Sequence, residues 1–143
     1  MSVELPFAPV DTLIREEAGD LRVSADAAAA LARHIQEYGA QLAANAAERA
    51  EADGRKTLMV DDFGRSSVPD PSTLTLPVAP VDRIARLDVP AYVRVAQDAR
   101  LALAAILEDY GVEAAAGARE LAEHAGRRTI QAEDIEMYFR LVG

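Results

Sequence analysis

The chain has 143 residues, a net charge of −9, one lysine and no cysteine. Its length allows one domain or two small interlocked units. Without cysteine it has no disulfides, no thiolate metal site and no cysteine nucleophile. It has no run of about 18 apolar residues and no signal-like N-terminus, so we expect a cytoplasmic protein without a membrane partner. The acidic charge does not point to a nucleic-acid binder; it fits an ordinary acidic protein or one that works at very high salt, where excess surface acid repels little.

The sequence contains an internal repeat. The motif LPFAPVD at residues 5–11 returns 71 positions later as LPVAPVD at residues 76–82, and GRKTL at residues 54–58 returns 72 positions later as GRRTI at residues 126–130. The second copy has therefore gained one residue between the two motifs. A fused pair of similar units indicates an obligate dimer made permanent by a linker. We place the first copy at residues 1–65, a Ser/Pro linker at 66–73 and the second copy at 74–143.

The first copy predicts a short helix, a long helix and a remnant of a third. The short helix ends at Gly19, residues 21–23 are extended, and Ser24 caps the long helix. Gly54 ends that helix. Apolar residues recur every three or four positions along it, as an inward-facing stripe requires: Ala28, Leu31, Ile35, Tyr38, Leu42 and Ala46. The third helix is stunted, because Gly64 follows the second motif after a few residues.

The second copy follows the same plan. It predicts a short helix over residues 81–87, an extended segment at 92–95, a long helix over 96–125 and a third helix over 132–141. Both long helices carry a Tyr-Gly pair at the same place, Tyr38-Gly39 and Tyr110-Gly111. A glycine inside a helix costs up to about 1 kcal/mol, so its repetition indicates a close crossing of the long helices there. The alternative is that both copies inherited a glycine that has no structural role.

These motifs resemble those of the archaeal histones, twice over. The shared pattern is L-P-x-A-P-V near the start, R-V-S-x-D-A at the long helix and A-G-R-[RK]-T-[IL]-x-A-E-D-I at the close, which the second copy carries almost intact at residues 125–135. The acidic, lysine-poor composition is similar to that of the fused, double-length histones of salt-loving archaea. The resemblance implies an all-α protein: two tandem histone folds of short, long and short helices, clasped as an intramolecular handshake pseudo-dimer. In that fold the segment 22–23 pairs with 129–130, and 94–95 pairs with 57–58.

The resemblance also implies a set of DNA-binding residues. The family holds DNA by its backbone, through helix N-termini and loop cations, without reading base sequence. The matching loop positions are Arg55, Lys56, Thr57, Arg127, Arg128 and Thr129. Arg22 and Arg94 match an arginine that reaches into the minor groove; simple solvation is the alternative for both. The first helices contribute only Arg15, Arg83 and Arg86, and Glu16 and Glu17 weaken the first copy at this surface.

The family pattern assigns two of these arginines a structural role. It pairs Arg55 with Asp62 and Arg127 with Asp134 as intramolecular ion pairs. Lys56 and Arg128 are then the freer cations, and we favour phosphate contact over solvation for both.

The two ends of the predicted pseudo-dimer differ. The family stacks dimers through a four-helix bundle, and the second copy matches its positions with Leu121, His124, Asp134 and Met137. The first copy has Arg49, Ala52, Asp62 and Arg65 there. We therefore expect self-association through the second histone fold only, with a solvated surface role as the alternative for His124.

The sequence gives no support to an enzyme. His34 and His124 are far apart and lack metal-ligand spacing, and no glycine-rich phosphate loop is present. We expect no cofactor, no metal site and no small-molecule substrate. The predicted function is largely sequence-independent binding and bending or wrapping of double-stranded DNA, for chromosome organisation or transcription regulation. The alternative is a histone-fold protein-protein interaction module or transcription regulator with weak or no DNA binding.

Overall fold

The computed structural model describes residues 2–143. It confirms the predicted all-α architecture, in which two short parallel strand pairs join the copies. The elements in chain order are α1 (Phe7–Glu17), β1 (Arg22–Val23), α2 (Ala25–Ala52), β2 (Thr57–Leu58), α3 (Val78–Ala85), β3 (Arg94–Val95), α4 (Gln97–His124), β4 (Thr129–Ile130) and α5 (Ala132–Val142). Of two 3-10 turns, Val60–Phe63 closes the first copy and Pro71–Thr73 lies in the linker.

The long helices α2 and α4 begin and end where the sequence predicts, within one or two residues. The Ser24 hydroxyl accepts a hydrogen bond from the Ala27 N–H and so satisfies a donor that the first turn of α2 leaves open. Gly54 and Gly126 follow the two helices with φ values of +73° and +72°, a conformation that only glycine adopts without strain.

The prediction for α3 was wrong at both ends. The helix spans Val78–Ala85 rather than residues 81–87. Pro77 is its N-cap residue and Pro80 lies in the first turn, where the missing proline N–H groups have no helical acceptor to lose. The extended segment after it is also shorter than predicted, because only Arg94 and Val95 pair as β3. The loop at residues 86–93 contains the extra residue of the second copy.

The two long helices cross at the Tyr-Gly pairs. The Tyr38 and Tyr110 rings stack with centroids 4.0 Å apart and an angle of 7° between their planes. A Cβ on Gly39 would lie 2.8 Å from Ile84 Cγ2 and 2.9 Å from Leu107 Cδ1, closer than carbon atoms pack. The predicted close crossing is confirmed, and glycine is what allows it.

The strands join each end of one copy to the other copy. β1 pairs in parallel with β4 in the register Arg22 to Thr129 and Val23 to Ile130. β2 pairs in parallel with β3 in the register Thr57 to Arg94 and Leu58 to Val95. Both predicted pairings are confirmed. In every strand the second residue is buried while the first is more exposed, so the pairs anchor in the core and present Arg22 and Arg94 outwards.

Both copies contribute to one hydrophobic core. Alanines line much of it, which lets the helices pack closely. Its largest fully buried side chains are Leu13, Ile14, Leu31, Ile35, Leu58, Leu76, Ile84, Leu103, Leu107, Ile130 and Ile135.

Different segments cover equivalent faces of α2 and α4. α5 packs on α2, where the Phe139 ring stacks on His34 at 4.1 Å. The first copy has only the 3-10 turn Val60–Phe63 in place of such a helix. Residues 65–69 instead run along α4 and face Ala102 and Ala105 across a cleft of about 140 Å³. The linker therefore takes the position on α4 that α5 takes on α2.

Candidate nucleic-acid interface

The parallel strand pairs bring four loops together as two surfaces. Loop pair I consists of residues 54–57 and 90–94, and loop pair II of residues 19–22 and 126–129. In loop pair I the Arg94 N–H donates to the Lys56 carbonyl at 2.9 Å, and in loop pair II the Arg22 N–H donates to the Arg128 carbonyl at 2.9 Å. Besides Arg55 and Arg127, each surface thus holds two cationic residues side by side, one from each copy.

These four loop cations are exposed and carry no ion pair within the described chain. Among residues 2–143, no carboxylate oxygen lies within 4.0 Å of the charged groups of Arg22, Lys56, Arg94 or Arg128. The arginines that do form ion pairs are Arg15, Arg55, Arg65, Arg83, Arg86, Arg100, Arg119 and Arg127. Within the described chain, eight of the 15 Lys and Arg side chains are therefore compensated internally, and four of the remaining seven lie at the loop pairs.

Arg55 is held by Asp62. Its guanidinium donates two hydrogen bonds to the Asp62 carboxylate, each 2.9 Å, and a third to the Thr57 carbonyl at 2.9 Å. Asp62 is buried and also accepts the Met59 N–H at 2.7 Å. The hydrogen bonds that Arg55 donates to Asp62 hold the pKa of the Asp62 carboxyl below its ordinary value and raise the pKa of Arg55. The pair fixes the loop that presents Lys56.

The second copy repeats this arrangement. Arg127 donates to the two carboxylate oxygens of Asp134 at 2.7 Å and 2.5 Å and to the Thr129 carbonyl at 3.3 Å. Asp134 is buried and accepts the Gln131 N–H at 2.8 Å. The hydrogen bonds that Arg127 donates to Asp134 raise the pKa of Arg127. Thr57 and Thr129 are half-buried strand residues. Their carbonyls accept the remaining hydrogen bonds of the two arginine–aspartate clamps, Arg55 with Asp62 and Arg127 with Asp134.

The three arginines of the first helices are engaged elsewhere. Arg15 Nε lies 2.6 Å from Asp11, Arg83 Nε lies 2.9 Å from Glu4, and Arg86 Nε lies 3.0 Å from Asp82. Their side chains are exposed, but each already has a carboxylate partner. A phosphate would have to compete for them, as it would not for the loop cations.

Sequence reasoning missed Tyr92 as a surface residue of loop pair I. Its side chain is 61% exposed, and the Lys56 Nζ lies 5.4 Å from the centre of its ring, within cation–π range. The repeat aligns it with Asp20, 72 positions earlier, but this difference alone indicates neither exposure nor contact with Lys56. Loop pair II has no corresponding aromatic ring.

The end of the molecule formed by the second copy presents apolar side chains. Met137 is 38% exposed and Leu141 is 68% exposed; Leu121 is half-buried and His124 is exposed. Asp134 lies inside its own fold, where Arg127 holds it. The opposite end is occupied by polar contacts: Arg49 donates to the Asp62 carbonyl at 2.5 Å, and Arg65 lies 3.9 Å from Asp109.

Two other kinds of site are absent from the part of the chain that the structure describes. No group of three or more His, Asp or Glu side chains is placed there to hold a metal ion. No helix there combines the length and the apolar character that crossing a membrane requires.

Two copies of a helix–strand–helix unit, crossed at their long helices and joined by parallel strands, define a histone-fold pseudo-dimer. The family described as histone-like transcription factor (CBF/NF-Y) and archaeal histone matches residues 3–64 and again residues 74–137. The chain belongs to this family. The resemblance to archaeal histones and the two tandem histone folds predicted from the sequence are confirmed.

Individual relatives agree with this assignment. Over 62 residues the chain is 47% identical to an archaeal histone HAN1 subunit of Thermococcus zilligii, a match that covers 43% of this chain and 90% of the relative. The crystal structure of the histone from Methanopyrus kandleri superposes with a TM-score of 0.66 at 25% identity, over 94% of this chain and 92% of that one. A protein from Thermus thermophilus superposes with a TM-score of 0.71 over 97% of both chains; at 22% identity this likeness concerns the fold alone.

Membership also bears on the class of activity. Histone-fold proteins of this family are non-enzymatic DNA-packaging proteins, in agreement with the sequence prediction that the chain is not an enzyme. The family supports histone-like DNA binding in general.

Proposed function

We propose that this chain binds double-stranded DNA through phosphate contacts at loop pairs I and II, largely without sequence preference, and bends or wraps it. The proposal places the protein on the chromosome, in its organisation or in transcription regulation. One observation carries it: the handshake sets two cations without ion pairs in the described chain side by side at each loop pair, although the chain as a whole is acidic. A concentrated pair of cations is what a phosphate backbone binds.

Asp53, Glu16 and Glu17 do not neutralise this surface. Asp53 contacts Arg55, at 3.1 Å, rather than Lys56. Within the described chain, neither Glu16 nor Glu17 forms an ion pair with a loop cation. The loop cations thus keep their charge available for an external anion.

A second function has one observation in its favour. The net charge of −9 opposes close approach to DNA, and affinity through phosphate contacts falls steeply as salt rises. A histone-fold interaction module with weak or no DNA binding would keep the handshake and lose only the binding. The loop cations favour the first function, because an interaction module has no need of four uncompensated charges paired in this way.

The deciding experiment measures the affinity for a DNA duplex across a salt series. We expect Lys56→Ala/Arg128→Ala to weaken binding and to reduce the slope of log affinity against log salt by about 1.8, since each lost phosphate contact removes about 0.9. The matched control is Arg33→Ala/Arg140→Ala, which removes two cations that also form no ion pair within residues 2–143 but lie outside the loop pairs. Equal effects of the two double variants would contradict the proposed interface. A folded wild-type chain that does not bind DNA near 0.1 M salt would leave the interaction module as the better account.

We also propose that two chains associate through the second histone fold, by Leu121, His124 and Met137, with Asp134 bracing the surface from within. Support comes from the exposed apolar side chains at this end and the polar contacts at the other. Sedimentation should show a two-chain species that Leu121→Glu dissociates. Association that survives Leu121→Glu but is lost on changing Arg49 would place the contact at the wrong end.

A further inference from the structure

The two loop pairs match in their unpaired cations but differ at one position, where one has an aromatic ring and the other a carboxylate. Both hold two cations without an ion pair in the described chain, and the positions 20 and 92 are equivalent by the repeat. Loop pair II has Asp20 there and loop pair I has Tyr92. An exposed tyrosine therefore replaces a carboxylate beside the cations, at one of the two surfaces only.

The position of Tyr92 ties it to the cations. The Lys56 Nζ lies 5.4 Å from its ring centre, so a phosphate bound by this lysine would bring the adjoining deoxyribose close to the ring. Tyr92 is followed two residues later by Arg94, which bonds through its N–H to the Lys56 carbonyl. The ring, 61% exposed, thus lies beside the cations of loop pair I.

The ring also has room to adjust, which a side chain in the other loop pair would not. It lines a cleft of about 220 Å³ whose other walls include Ala47, Leu58 and Pro90. The residue equivalent to Ala47 by the repeat is Arg119, whose guanidinium lies against Gly19 and donates to the Glu17 carbonyl at 3.4 Å. An arginine therefore fills at loop pair II the space that alanine leaves open at loop pair I.

We propose that Tyr92 is a DNA-contacting residue whose ring packs on a deoxyribose or base edge of the minor groove beside loop pair I. This inference rests on the proposed DNA binding. Contact with an aromatic face releases no counterions, so it keeps its strength as salt rises, whereas phosphate contacts lose theirs. Loop pair I would then be the surface that holds DNA at high salt, and loop pair II the one that releases first.

The first test compares Tyr92 variants across a salt series. Tyr92→Ala should weaken binding about tenfold at every salt concentration without changing the slope, because it removes a contact that is independent of counterions. Tyr92→Phe should bind as the wild type does. Lys56→Ala, in contrast, should lower the slope by about 0.9. Circular dichroism and thermal unfolding establish that each variant is folded.

A second test reports on the ring directly. The chain has no tryptophan, so Tyr92→Trp introduces a single indole fluorophore into loop pair I. DNA should quench its emission and protect it from acrylamide. The matched control is Val68→Trp, at a partly exposed linker position against α4, whose emission DNA should leave unchanged.

The possible results distinguish the role of Tyr92 from the proposed DNA binding on which it rests. Binding that depends on Lys56 and Arg128 but is unaffected by Tyr92→Ala would overturn the role of Tyr92 and leave the DNA binding intact. The same conclusion would follow if DNA did not alter the indole emission of Tyr92→Trp. A folded wild-type chain that binds no duplex would overturn both. A change of slope in Tyr92→Ala equal to that of Lys56→Ala would show that the ring acts only by positioning the lysine, and would also overturn the proposal.

Discussion

Arg55 and Lys56 are neighbours in the sequence whose side chains are engaged differently. Arg55 donates to a buried carboxylate and a backbone carbonyl, while Lys56 lies near the face of an exposed ring. Arg55 therefore fixes the loop, and the charge of Lys56 remains available to a binding partner. Arg127 and Arg128 repeat this division in the second copy.

The clamp between Arg55 and Asp62 gives a prediction for stability and its pH dependence. Asp62→Asn should lower the free energy of unfolding by about 2 kcal/mol at neutral pH, the usual range for hydrogen bonds to a charged group. Because the pKa of Asp62 is lowered by folding, its contribution is complete above the unfolded pKa of about 3.9 and is lost as the pH falls through the folded pKa. Urea unfolding of both proteins from pH 7 to pH 2 should therefore show the difference shrinking in acid.

The adjacent acidic residue provides the control for this prediction. Asp61 is exposed, so Asp61→Asn should stay within about 0.5 kcal/mol of the wild type at every pH. If the difference in unfolding free energy between Asp62→Asn and the wild type stays constant down to pH 2, the lost stability comes from the shape of the side chain rather than its charge.

Sequence reasoning reached the residues of the interface unequally. The loop motif repeats at a fixed offset and resembles a known family, so its cations could be named in advance. Tyr92 could not be found in that way, because a lone aromatic in a loop has no periodicity and no counterpart in the motif. Only its exposure and its distance from Lys56 single it out.

Among the secondary-structure elements, the two mid-helix glycines give a matched pair of predictions. Alanine favours a helix by up to about 1 kcal/mol over glycine. At Gly39 the new Cβ would meet buried side-chain atoms at 2.8 Å and 2.9 Å, whereas at Gly111 its closest neighbours would be Ile35 and Leu13 atoms at 3.1 Å. Gly39→Ala should therefore cost about 1 kcal/mol net, since overpacking exceeds the helix gain, and Gly111→Ala should be nearly neutral. Chemical denaturation followed by circular dichroism measures both; equal effects would contradict the asymmetric packing.

The start of the second copy gives a prediction about its attachment to α4. The Glu108 carboxylate accepts the Thr75 N–H at 2.6 Å and the Leu76 N–H at 2.9 Å. At the equivalent place in the first copy, the Gln36 side chain accepts the Glu4 N–H at 2.7 Å. Glu108→Gln should accordingly be tolerated, and Glu108→Ala should cost about 1 to 2 kcal/mol because two part-buried donors lose their acceptor. Thermal unfolding compares them, and a loss in Glu108→Gln as large as in Glu108→Ala would indicate that the charge is needed.

The long helices were predictable because an apolar stripe repeated over many turns fixes both the type of secondary structure and its length. The start of α3 was not, because its first residues include a proline that interrupts any helical pattern in the sequence. The path of the linker over α4 was equally hidden, since nothing in a Ser/Pro-rich segment indicates which surface it covers.

For the whole molecule, the fusion of the two copies predicts how unfolding depends on concentration. A histone fold assembled from separate chains loses stability on dilution, because assembly is governed by mass action. Here both halves of the handshake belong to one chain. The urea midpoint of Leu121→Glu, which removes the proposed contact between chains, should stay constant over about a hundredfold range of protein concentration. A midpoint that falls on dilution would show that the fold needs a second chain.

The pairing of β1 with β4 also sets when the protein can fold during its synthesis. Arg22 and Val23 meet partners at Thr129 and Ile130, and α2 buries its apolar stripe against helices from the other half of the chain. Ribosomes add about 5 to 20 residues per second, so α2 has left the ribosome for some time before α4 and β4 exist. We expect the nascent first copy to stay open, with Leu31 and Ile35 accessible to chaperones, until the residues around 130 emerge. Emergence of the second copy, rather than of the first copy alone, would then start folding.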